Sequence, residues 1–127
     1  MSNQAILSHE APAAIGPYSQ AVRAGNMLFL SGQIALDPIS GELNNADITT
    51  ETHQVMKNIE AVLKAAGIGF SQVCKTTIFL SDMTLFNDVN EVYASYFNSY
   101  YPARETVAVK GLPRNVSVEI SMIAMVS

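Results

Sequence analysis

Two residues near the C-terminal end carry the chemistry worth following. Arg104 stands at the start of a β-type run, Ala103 to Val109, and Glu119 sits between Val118 and Ile120 in a second one. Gly111-Leu112-Pro113 supplies turn chemistry between them. A guanidinium is a permanent planar cation that can grip a carboxylate with two parallel hydrogen bonds. A strand glutamate flanked by branched apolar residues is either solvated or a buried acid, and a buried acid can serve as a general base. A surface ion pair is the plainer alternative, and such pairs contribute little. Read as a symmetric hairpin over residues 111–115, the two runs pair Lys110 with Val116 and put Arg104 and Glu119 on opposite faces. A bulge or a one-residue shift would bring them together. The register stays open at this level.

Other reactive chemistry is thinly represented. Cys74 is the only cysteine, so no intrachain disulfide is possible, and its place in the run Val73 to Leu80 reads as a small buried hydrophobe. His9 and His53 are the only histidines and lie far apart, and no Cys/His spacing suggests a zinc site. No phosphate-cradling glycine loop and no Gly-x-Ser-x-Gly elbow occurs. Seven basic residues stand against eleven acidic ones, for a net charge of −4, and the basic ones are scattered. That balance argues against a non-specific nucleic-acid or anionic-membrane surface, which needs clustered Lys and Arg. No apolar run approaches a membrane span, and the start of the chain lacks the basic and apolar regions of a signal peptide. With a lone cysteine, a cytoplasmic protein is the expectation.

The elements that must position Arg104 and Glu119 can be read in order. A length of 127 residues is one domain by the usual size relation. Residues 4–9 and 18–24 read as short β-runs separated by a Pro-bounded loop, and Gly25-Asn26 as a tight turn. Met27-Leu28-Phe29-Leu30 is apolar on both faces and should be buried on both. Thr49 to Ala66 predicts a helix with Val55, Met56, Ile59, Val62, Leu63 and Ala66 on one stripe. Thr49 or Asp47 can cap its start, and Gly67 suits a left-handed exit. Val73 to Leu80 reads as a strand, and Thr84 to about Phe97 as a second helix whose aromatic stripe faces the core. Two strands finish the chain. The result is an α+β order, β-β-β-α-β-α-β-β, in a single sheet with both helices on one face. The other face, with Ile123 and Met125, then lacks cover inside so short a chain, which implies self-association.

The ordered motifs resemble the Rid (YjgF-type) family, the reactive intermediate deaminases. They are Ile15-Gly16-Pro17-Tyr18-Ser19-Gln20, Leu30-Ser31-Gly32-Gln33, Asn58-Ile59, Ala65-Ala66-Gly67, Lys75-Thr76-Thr77, Val89-Asn90-Glu91-Val92-Tyr93, Pro102-Ala103-Arg104 and Leu112-Pro113 with Val118-Glu119-Ile120. The resemblance covers almost the whole chain as one domain. It implies the chorismate-mutase-like fold, a homotrimer with sites between subunits, and hydrolysis of 2-imino acids or their enamines to 2-keto acids and ammonia without a cofactor. It also implies roles. Arg104 matches the carboxylate-binding arginine, Glu119 the residue that activates water, and Tyr18 and Ser31 the phenol and hydroxyl of the N-terminal motifs. Gly32 lies in the second motif, Asn90 matches a position near the pocket, and the backbone around Thr106 would meet the imino nitrogen.

Three residues depart from many relatives: Glu105 beside the arginine, Thr106 in place of a cysteine, and Ser121 in place of a second glutamate. Strand alternation should turn Glu105 to the face opposite Arg104. Two other functions compete with the deaminase. An RNA-acting translation inhibitor is disfavoured by the acidic balance, and a non-catalytic ligand-binding or chaperone-like module by Arg104 itself.

Overall fold

In the computed structural model, which describes residues 2–126, six strands form one mixed sheet in the order β1-β2-β3-β6-β4-β5. The strands are β1 (Gln4–Ile6), β2 (Ala21–Ala24), β3 (Met27–Gln33), β4 (Val73–Leu80), β5 (Ala103–Ala108) and β6 (Val118–Met125). Two helices, α1 (Ile48–Ala65) and α2 (Phe86–Ala94), follow β3 and β4. The first two runs are shorter than the pattern suggested, and the second helix starts later because Met83–Leu85 forms a separate 3₁₀ turn.

Each helix begins and ends where its chemistry requires. The Asp47 carboxylate accepts from the Thr50 amide at 2.7 Å, which satisfies one of the free donors of α1 and holds the Asp47 carboxyl below its usual range. Gly67 leaves the helix at φ 78°, a conformation that costs glycine nothing. Val55, Met56, Ile59, Val62 and Leu63 are fully buried, as the stripe predicted. Tyr93 of α2 donates to Thr76 of β4 at 2.8 Å, and His53 of α1 is hydrogen-bonded to Tyr96 at 2.8 Å. Both helices therefore lie on the same face of the sheet, over Ile78, Leu80, Val118, Ile120 and Met122.

The last two strands overturn the hairpin reading. β5 runs parallel to β4 at the sheet edge, with Thr76 opposite Arg104, whereas β6 lies antiparallel between β3 and β4. They are not neighbours, so no turn register relates them. The physical reason is the helix α2: a strand–helix–strand unit returns the chain parallel to β4, and the chain end then fills the central slot between β3 and β4.

The open face differs from expectation in two further places. Leu28 and Leu30 are buried, but Phe29, between them, is 46% exposed, so β3 is covered on one side only. Cys74 is exposed rather than buried, because the β4–β6 register shifts between Val73 and Lys75 and takes it out of the alternation. Phe29, Phe79, Val107, Ile123 and Met125 share this open face. Among the described residues no helix is long and apolar enough to cross a membrane.

Candidate active site

Glu119 is held where a carboxylate would not settle by itself. It occupies the open face of β6, opposite Phe79 of β4, and it is half-buried. Burial raises its carboxyl above the usual 4.5. It has no hydrogen-bond or ion-pair partner among the described residues that would draw it back down. Its carboxylate rests against Gly32 so closely that a Cβ there would overlap Oε2 and stand 2.9 Å from Cδ. The β3–β6 register shifts between Leu30 and Gln33, so a bulge with a glycine in it makes the seat for the acid. The sequence offered no contact between Gly32 and Glu119. The structure supplies it.

Around Glu119 lies a cavity of about 580 Å³. Tyr18, Gln20, Ser31, Gly32, Gln33 and Arg114 supply its polar lining, and Pro12, Ile15, Ile34 and Leu36 much of the apolar part. The size is within the usual range for a small-molecule site. Ser31 donates to the Ser19 carbonyl at 2.6 Å and so fixes β3 to the loop that carries Tyr18. Three further residues position these walls: Gln20 and Asn58 stand in the motifs quoted above without an assigned role, and Glu51 stands outside them. Buried Gln20 binds Ser8 and Pro12 and secures the N-terminal loop. Buried Asn58 of α1 donates to the carbonyls of Ile34 and Leu36, which hold the far wall. Glu51, 3% exposed, accepts from the amides of Ser117 at 2.8 Å and Val118 at 3.3 Å, directly before Glu119. For Asn58 and Glu51 the available signal was a polar residue on the apolar side of a helix, which marks a buried group that needs a partner.

Arg104 lies elsewhere. It projects from the helix-bearing side of edge strand β5, opposite buried Thr76, whereas Glu119 is on the other face. Its guanidinium donates to Asn90 Oδ1 at 2.5 Å and sits 5.5 Å from the Phe86 ring centre and 5.3 Å from that of Tyr93. Such cation–π contacts and one charged hydrogen bond hold the cation in place while leaving donors free. With Asn90, Tyr93, Ala94, Tyr101 and Pro102 it lines a second cavity of about 440 Å³. Burial raises the Tyr93 hydroxyl's pKa, against the opposing effects of the Thr76 hydrogen bond and the Arg104 charge.

Thr106 is on the same side of β5 as Arg104, and its Oγ1 is buried without a partner among the described residues. Glu105 points the opposite way, as alternation required, and pairs with Lys75 at 2.8 Å. No group of three or more potential metal ligands occurs among the described residues. The seven expected site residues thus fall into two sets within one chain: Tyr18, Ser31, Gly32 and Glu119 in one cavity, and Arg104 and Asn90 in another with Thr106 beside them.

Fold and site define a class: an α+β protein that presents a desolvated carboxylate and a braced arginine from one mixed sheet. Comparison with known proteins narrows this. The family described as Endoribonuclease L-PSP matches residues 8–126. A RutC family protein of Pyrococcus horikoshii is 50% identical over 95% of this chain and 96% of its own. The human protein named 2-iminobutanoate/2-iminopropanoate deaminase is 46% identical over 94% of this chain and 88% of its own. The crystal structure of the YjgF gene product from E. coli superposes with a TM-score of 0.92 at 42% identity, covering 96% of this chain and 98% of that one. The chain belongs to the Rid (YjgF-type) family.

Proposed function

We propose that this protein hydrolyses reactive 2-imino acids, and their enamine tautomers, to 2-keto acids and ammonia. The observation that carries the reading is Glu119: a half-buried carboxylate without a partner, seated on Gly32 beside Tyr18 and Ser31. Burial without a partner makes it a better proton acceptor than a solvated carboxylate, as a general base requires. Deaminase names among relatives at 46–48% identity support the same reaction.

In this reaction water adds to the imine carbon. Glu119 takes one proton from the water as the C–O bond forms, and the imino nitrogen gains a proton. The carbinolamine then loses ammonia: the hydroxyl proton passes by way of Glu119 to the amine nitrogen, the C–N bond breaks with its electron pair going to that nitrogen, and the C=O bond forms. Arg104 holds the substrate carboxylate, and the backbone at Thr106 meets the nitrogen. The imine is already electrophilic, so one base and fixed geometry suffice.

Arg104 and Glu119 lie on opposite faces of one sheet, so a single chain cannot apply both to one substrate. We therefore place the site between subunits of a homotrimer. One subunit supplies Arg104, Asn90 and Thr106, and its neighbour supplies Tyr18, Ser31, Gly32 and Glu119. The apolar open face, with Phe29, Ile123 and Met125, would be covered in that assembly.

The test has two stages. A threonine dehydratase generates 2-iminobutanoate, and micromolar protein should accelerate its loss; no acceleration rejects the reaction. Arg104→Ala and Glu119→Gln are then unfolded together, mixed and refolded. Mixed oligomers should regain activity that neither variant has alone, because one interface then holds both native residues. Mixed oligomers without regained activity would reject the shared site. RNA action, which the family name Endoribonuclease L-PSP suggests, would instead appear as RNA cleavage or binding with a salt slope of several ions.

A further inference from the structure

The cavity that holds Glu119 also holds a cation, and that cation is Arg114, not Arg104. Its place there is set by the backbone. Pro113–Asn115 forms a 3₁₀ turn closed by bonds from the Asn115 amide to the Leu112 carbonyl and from Val116 to Pro113. Arg114 and Asn115 both have left-handed backbones, at φ 55° and 56°. Two adjacent non-glycine residues in that region are uncommon, and arginine is not a residue that favours it. The turn thus fixes where the arginine stem starts, five residues before the strand position of Glu119.

No hydrogen bond or ion pair joins the Arg114 guanidinium to another side chain among the described residues. In particular, Glu119 does not neutralise it, since burial alone accounts for the direction in which the Glu119 carboxyl is displaced. Four of the other basic side chains have partners, Lys64 with Glu10, Lys75 with Glu105, Arg104 with Asn90 and Arg23 with the Gly25 carbonyl, and neither Lys57 nor Lys110 lines this cavity. The cavity is also larger than a three- or four-carbon imino acid requires. There is room, beyond the reacting carbon, for a side chain that ends in a charged group.

Resting on the reaction proposed above, we infer that Arg114 reads a second acidic group at the end of the substrate's side chain, so that the protein accepts dicarboxylic 2-imino acids. Arg104 holds the carboxylate next to the imine, and Arg114 the distal one. The distal carboxylate meets a guanidinium in a cavity whose remaining lining is apolar or neutral apart from Glu119, where a charged hydrogen bond is stronger than in water.

Calorimetry with 2-oxoglutarate and 2-oxobutanoate, the products of a dicarboxylic and a monocarboxylic imine, tests this on the assembled protein. Arg114→Ala should weaken 2-oxoglutarate binding by roughly 10-fold more than 2-oxobutanoate binding. Arg114→Asn, which suits the left-handed backbone and so keeps the turn, should give the same difference. Arg114→Lys should recover part of it. The kinetic counterpart compares the imines that an amino acid oxidase releases from glutamate and from 2-aminobutyrate, with the loss expected in KM for the dicarboxylic one. Equal losses for both ligands would mean that Arg114 holds the reacting carboxylate, and no loss for either would make it a bystander. Either result overturns the inference while leaving the reaction standing. Wild-type protein that accelerates neither imine would reject the reaction itself, and the inference with it.

Discussion

The arginine end and the glutamate end of this molecule are built in opposite ways. Arg104 is braced on every side that the chain can offer: Asn90 accepts from it, and the Phe86 and Tyr93 rings flank it. The Tyr93 ring belongs to an aromatic cluster that continues through Phe97 to Tyr101 and through Phe70 to Tyr96. Glu119 has a well-held backbone, bound through Glu51 and the sheet, but a carboxylate with no partner and no residue under it larger than glycine. The difference follows from the work each would do. An anchor gains from fixed geometry, because a bidentate pair loses strength quickly as its plane tilts. A base gains from the absence of partners, because each hydrogen bond to its ionised form lowers its pKa and its appetite for a proton.

The sharpest test of this contrast is to remove each end. Arg104→Ala should reduce turnover by about 10²-fold at least, and Arg104→Lys should recover little, since an ammonium lacks the planar fork. Glu119→Gln should reduce turnover by roughly 10²-fold while leaving 2-oxobutanoate binding in place. The pair of variants separates anchor from base: calorimetry should show lost keto-acid affinity in the first and retained affinity in the second. Equal affinity in both would break the division of roles.

A smaller effect is expected under the acid. Gly32→Ala places a methyl group against the end of the Glu119 side chain, which can swing away. Turnover should fall by about 10-fold or more, with stability changed by no more than about 1 kcal/mol. In a Glu119→Ala background the same substitution should cost almost no further activity, and a double-mutant cycle would measure that coupling.

Glu51 concerns stability more than chemistry. Its carboxylate accepts two amides in a buried position, and charged hydrogen bonds are worth about 1.5–3 kcal/mol each. Glu51→Gln should lower stability by about 1–2 kcal/mol in urea unfolding, with the smaller loss in activity arising through a shifted Glu119.

The smallest effect is a pH signature. Folding raises the Glu119 carboxyl above 4.5, so between that value and its folded pKa the folded state binds more protons than the unfolded one. Stability contributed by this group therefore falls as pH rises through that window. Glu119→Gln should be slightly more stable than wild type at pH 7, with the gain disappearing near pH 4. A thermal melt series in pH checks it, and an advantage that persisted at pH 4 would mean that the carboxyl is not raised. The acid limb of kcat/KM should likewise sit above 4.5 and vanish with the same substitution.

Much of this was legible in the chain itself. The α1 stripe, its Asp47 cap and its Gly67 exit are local matters of periodicity and backbone preference, and all three appear where the pattern put them. So do the six strands, the two helices on one face, and the apolar residues at Ile123 and Met125 that alternation sends to the other. Strand alternation also placed Glu105 away from Arg104, because a period of two is a property of the backbone alone. What tertiary structure alone decided was which strands are neighbours. A parallel return through α2 takes β5 to the edge and leaves β6 the centre, and only that choice separates Arg104 from Glu119. The seat of Glu119 on Gly32, 87 residues earlier in the chain, depends on a bulge between two distant strands, and so does the exposure of Cys74 on a shifted register. Pairing across the sheet is a contest among many possible partners, settled by the summed burial of the core rather than by the residues at any one site.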